Sequence, residues 1–181
     1  MSRSAIIRSG HSSSPGEGEL GPYLRAALGP RGFLRRARRG GGGDGESLIA
    51  WVLRAYEHDA LLPYPALMVL GPFMQPERQA EFMDRASRLK RVDAITFHSH
   101  LETLVAGAAG VVAMGGYNTF CEVLSLDKRA LLVPRTTPRL AQFIRASSAA
   151  KLRLVIMLTG DGSSDPPVMA AALRALPRRT R

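Results

Sequence analysis

The chain carries a single cysteine, Cys121, so no intrachain disulfide can form, and a reducing compartment fits. It has no uninterrupted apolar run of the ~18 residues that a membrane-crossing helix needs. Its opening residues, MSRSAIIRSGHSSSPGEG, lack the apolar segment of a secretory signal. A cytoplasmic protein is therefore expected. There is no internal repeat. Neither GxGxxG with a downstream acid nor GxxxxGK followed by Ser or Thr occurs, so those two nucleotide folds are not indicated.

Acids are in deficit, with 15 Asp+Glu against 25 Lys+Arg and a net charge of +10. Such a surplus points to nucleic acid until it is located. Residues 1–45 hold eight Arg and three acids, and residues 174–181 hold four Arg and no acid. The body between them, 46–173, is close to neutral, with 13 Lys+Arg and 12 acids. The basic ends read as solvated flanks, and nucleic acid is not an expected partner. An anionic membrane surface would also suit them.

What is present is a core-forming body. At 181 residues and 45% hydrophobic the chain can bury one domain core. Helical periodicity runs from Glu46 to His58, with Leu48, Ile49, Val52, Leu53 and Tyr56 on one face. A buried strand is expected at Ala66 to Leu70, fenced by prolines and Gly71. A helix is expected from Pro76 to Lys90 with Phe82, Met83 and Leu89 inward. Then come a strand from Val92 to Phe97 and a helix from Leu101 to Ala108. A helix from Arg139 to Lys151 follows later in the chain. Leu154 to Leu158 is open between strand and loop. The final helix, Asp165 to Leu176, has Asp165 as N-cap and prolines just inside. This alternation predicts an α/β protein, a Rossmann-like parallel sheet flanked by helices.

Residues 110–146 carry the chemistry. An apolar run from Gly110 to Met114 stops at Gly115-Gly116. A helix starting at Asn118 or Thr119 carries Glu122 on its next turn. A second apolar run, Ala130 to Val133, ends at Pro134, and Gln142 lies beyond the following loop. In an open parallel sheet, ligands sit at the carboxyl ends of the strands, where these turns fall. The glycines permit close backbone approach, and a helix start offers N–H groups to phosphate. Glu122 is placed to accept hydrogen bonds from a ribose diol. A second Gly-rich loop, Gly40 to Gly45, immediately precedes a helix, and its N–H groups suit a diphosphate.

In this order of parts the chain resembles the carboxyl-terminal, nucleotide-sugar-binding half of GT-B glycosyltransferases. Within these it is similar to the family 28 type that includes the lipid II-forming N-acetylglucosaminyltransferase. The resemblance runs from Gly40 to about Leu176, with a basic leader, 1–39, and a basic tail, 177–181, outside it. It implies a donor-binding domain for hexosyl transfer from an NDP-sugar, UDP-linked by preference. Its donor contacts would fall on Gly42, Gly43, Asp44 and Gly45 at the phosphates. Backbone groups at Phe97 and His98 would meet the uracil edge. Gly115, Gly116, Asn118, Thr119 and Glu122 would hold diphosphate and ribose, and Gln142 the sugar. No cofactor and no obligatory metal are implied. The catalytic base belongs to the amino-terminal acceptor domain of such enzymes, so no catalytic residue is assigned here. A missing amino-terminal domain or a separate partner subunit is implied, with peripheral contact at the inner membrane face. The isolated chain is expected to bind donor weakly and not to turn over. A non-catalytic basic binding protein is the other reading.

The stretch before the Gly loop departs from the pattern. A phosphate loop of this kind follows a buried strand, yet Arg35, Arg36, Arg38 and Arg39 stand there, and such a run cannot be buried. Either the first strand is missing or the amino terminus was replaced, as a shifted or truncated upstream frame would produce. Residues 1–39 are expected to be disordered. His98 and His100 lack an evident third metal ligand and read as loop residues. Cys121 has no His or Lys beside it in sequence and reads as a core residue rather than a nucleophile.

Overall fold

The computed structural model describes residues 24–27, 44–96, 101–136, 140–159 and 165–176, with backbone alone for 24–27 and Asp44. Six strands and six helices alternate along these residues. The strands are β1 (Leu24–Ala27), β2 (Ala66–Val69), β3 (Val92–Ile95), β4 (Gly110–Ala113), β5 (Ala130–Leu132) and β6 (Ile156–Met157). The helices are α1 (Asp44–His58), α2 (Pro76–Ser87), α3 (Leu101–Ala106), α4 (Tyr117–Ser125), α5 (Ala141–Lys151) and α6 (Pro166–Ala175). All strand pairs are parallel, in the order β3-β2-β1-β4-β5-β6. This is the doubly wound order, in which the winding direction reverses between β1 and β4.

The sheet is buried on both faces, as parallel sheets covered by crossover helices must be. All four residues of β2 and all four of β4 are buried. Side chains alternate between the two faces along each strand. Val112 and Leu131 join the layer formed by α1, α2 and α6. Val111, Ala113, Ala130 and Leu132 join the layer formed by α3, α4 and α5. Leu48, Ile49, Val52, Leu53 and Tyr56 are all buried, as the spacing in α1 predicts. Trp51 donates from Nε1 to the carbonyl oxygen of Asp165 at 2.7 Å, which ties the start of α6 to α1.

Three expectations are corrected. The sheet does not lack its first strand: β1 fills the central slot, with Leu24 opposite Ala66 and Gly110, and Arg25 opposite Leu67 and Val111. The strand lies upstream of the arginine cluster, inside the stretch read as a leader, not directly ahead of the Gly loop. Met83 is 37% exposed while Phe82 is fully buried: the buried stripe of α2 is the narrow one of Phe82 and Ala86, and Met83, about 100° further round, falls outside it. Asp165 occupies the N-cap position of α6, but its side chain makes no capping hydrogen bond. The ambiguous run at Leu154 to Leu158 contains a short strand, β6, paired to β5. Among the described residues no helix is long and apolar enough to cross a membrane.

Candidate functional site

The turn after β4 sits beside the point where the strand order reverses. In doubly wound sheets, ligands bind at the carboxyl edge beside such a reversal. β4 passes through half-buried Met114 into Gly115, which is buried and has φ +74. An L side chain is strained at that angle. A Cβ at Gly115 would also meet Leu132 Cδ1 of β5 at 3.4 Å. Gly116 differs. Its φ of −54 and ψ of 152 suit any residue, and a Cβ there would meet no atom of the described residues within 4 Å. Open space therefore lies against the backbone at the first residue before α4.

Gly116 is the N-cap of α4 and no side chain caps the helix. The first bond within the helix runs from Phe120 N–H to the Gly116 carbonyl at 2.9 Å. The N–H groups of Tyr117, Asn118 and Thr119 precede it, at the positive end of the helix dipole. Asn118 is exposed and Thr119 half-buried. Glu122 lies four and three residues further on, so the three share one face of α4. It is half-buried, and its Oε2 is enclosed with no hydrogen bond to it, while the residue is engaged elsewhere. Cys121 is half-buried on the same helix.

α5 closes the site from the side of β5. Gln142 Oε1 accepts from the backbone N–H of Arg135 at 3.2 Å, which pins the exit of β5 to the start of α5. Its carbonyl oxygen is thus committed to backbone. Arg145, one turn further, donates from Nη1 to the Gly115 carbonyl at 3.0 Å. Its guanidinium lies 5.3 Å from the centre of the Tyr117 ring and 5.7 Å from that of Phe120, within range of cation–π attraction. Sequence reasoning missed Arg145. Its spacing three residues after Gln142 puts both on one side of α5, but that spacing alone does not show what the side faces.

Of the other expected residues, Asp44 and Gly45 open α1, and Gly45 is buried. By connectivity α1 begins at the carboxyl edge of β1, next to β4. Gly42, Gly43, Phe97 and His98 lie outside the described residues. The structure therefore sets Gly115, Gly116, Asn118, Thr119 and Glu122 along one turn and helix and adds Arg145 beside them, while Gln142, one turn before Arg145 on α5, bonds to the exit of β5. A shallow depression lies at the opposite, amino-terminal edge of β5 and β6, lined by Arg129, Arg153, Leu154 and Leu176.

No family model matches the chain, and no curated protein does. Solved structures do. The calicheamicin glycosyltransferase CalG4 superposes with a TM-score of 0.62 at 18% identity, over 90% of this chain and 35% of that one. MurG of Acinetobacter baumannii gives 0.56 at 13%, over 91% and 48%. The UDP-GlcNAc 2-epimerase of Methanocaldococcus jannaschii gives 0.56 at 13%, over 90% and 40%. The chain thus spans less than half the length of each of these proteins. At these identities the likeness is one of fold, and that fold is the Rossmann-like half of a GT-B glycosyltransferase, similar to the one in MurG.

Proposed function

We propose that the chain is the nucleotide-sugar donor-binding domain of a glycosyltransferase that moves a hexosyl group from a UDP-linked donor. The observation that carries this reading is the position of the Gly115-Gly116 turn. It combines open backbone space, an uncapped helix start and a carboxylate one turn away, all beside the strand-order reversal.

The chemistry follows from charge. As the glycosidic C–O bond breaks, negative charge grows on the departing diphosphate. The N–H groups at Gly116 to Thr119 and the dipole of α4 face that charge already oriented, so little reorganisation is needed. Glu122 accepts from the ribose hydroxyls and fixes the nucleotide along α4. Gln142, held by Arg135 through its carbonyl oxygen, presents its amide N–H groups to the sugar. By the resemblance, N–H groups from Gly42 to Gly45 would meet the phosphates and backbone groups at Phe97 and His98 the base.

The acceptor and the base that deprotonates it belong to a second domain or a partner subunit. The basic ends suit a peripheral position on an anionic membrane that carries a lipid-linked acceptor. Calorimetric titration with UDP, GDP and dTDP tests the reading. Binding of one of them by the wild type, lost in Glu122→Ala, supports it. A folded chain that binds none of them refutes it.

A further inference from the structure

We propose that Arg145 is a positioning residue for the diphosphate end of this site, an inference that rests on the donor-binding reading above. The C=O of Gly115 and the N–H of Gly116 belong to one planar peptide unit and point in opposite directions. Gly115 has φ +74, and its carbonyl accepts from Arg145 Nη1 at 3.0 Å. Holding that carbonyl fixes the direction of the Gly116 N–H. The same guanidinium lies against the Tyr117 and Phe120 rings, which fixes the first turn of α4. One side chain from α5 thus orients four successive N–H groups, from Gly116 to Thr119.

The placement is unfavourable in one respect. A cation beside a helix amino terminus opposes the helix dipole, which favours anions there. An anion bound at the turn reverses that sign, since it is attracted by both. Arg145 therefore acts on the charged part of a ligand and not on its base or ribose.

The test compares a nucleoside diphosphate with its bare nucleoside. The diphosphate is whichever of UDP, GDP and dTDP the full wild-type chain binds. Calorimetry is run on wild type, Arg145→Gln and Arg145→Lys, with melting temperature as the check on folding. Arg145→Gln is expected to weaken the diphosphate about tenfold or more, the scale of a charge-assisted hydrogen bond. Nucleoside affinity should stay within about twofold, less than half a kcal/mol. Arg145→Lys, which keeps one donor for the Gly115 carbonyl, should fall between and carries the comparison if Arg145→Gln does not fold. Equal losses for both ligands, or no loss in a folded variant, overturn the role of Arg145 alone. No binding of any of the three diphosphates by the wild type refutes the donor reading and this inference with it.

Discussion

Trp51 and Asp165 are 114 residues apart in sequence, yet the indole N–H of one donates to the carbonyl oxygen of the other at 2.7 Å. This bond joins α1 to the start of α6 across the face that buries Met169 and Leu173. The α6 N-cap side chain does no capping, so the Trp51 contact is what anchors that end. Trp51→Phe keeps most of the buried surface and removes the donor. It should cost about 1 kcal/mol of stability, the net value of one such hydrogen bond, measured by urea unfolding.

Phe82 is fully buried between α2 and the sheet. Arg78 and Arg85 lie over its ring at 4.9 Å and 5.9 Å from the centroid, and both are paired to acids of α1, Glu46 and Glu57. Phe82→Ala opens a cavity and removes this support. A loss of about 3–5 kcal/mol is expected from the size of the side chain, again read from denaturant unfolding.

The two glycines after β4 should separate folding from binding. Gly115→Ala places a Cβ at φ +74 and against Leu132, so stability should fall by about 1–2 kcal/mol. Gly116→Ala meets no atom of the described residues and keeps an ordinary φ. Its folding cost should stay below about 1 kcal/mol, while the new methyl group occupies the space assigned to the diphosphate. Thermal melting paired with nucleotide titration of both variants distinguishes the two effects.

Asp59 at the end of α1 gives a pH dependence. The side-chain hydrogen bond from Arg174 holds its carboxyl below the usual value, with help from the Leu61 N–H. A folded pKa lower than the unfolded one favours the native state while the group is ionised in both states. That contribution is complete above the unfolded pKa and is lost as pH falls through the folded one. Asp59→Asn should therefore flatten the acid limb of the stability profile and leave its neutral region parallel to wild type. An unchanged acid limb would contradict the assignment.

Much of this architecture is written locally. The runs at Ala66, Gly110 and Ala130 are short, apolar and fenced by Gly or Pro, so each is legible as a buried strand. The Gly115-Gly116 turn and Glu122 follow from the same punctuation. β1 was not legible because LRAA is four residues long and carries an arginine at its second position, which a search for apolar runs passes over. Arg145 was hidden for a different reason. An arginine on a helix reads as a solvent-facing charge, and only packing of α5 beside α4 brings it to the Gly115 carbonyl. The first turn of α6 shows a third limit, since Asp165 has the residue type of a cap while its backbone carbonyl does the bonding.

The central claim is that a nucleoside diphosphate binds at the turn after β4. Amide chemical shifts of the isotope-labelled chain, followed during titration with UDP, test it most directly. The account predicts saturable shifts at Gly116, Tyr117, Asn118, Thr119 and Glu122, with Arg129 and Leu154 at the opposite edge unmoved. Shifts confined to that opposite edge, or none along the start of α4, would contradict it.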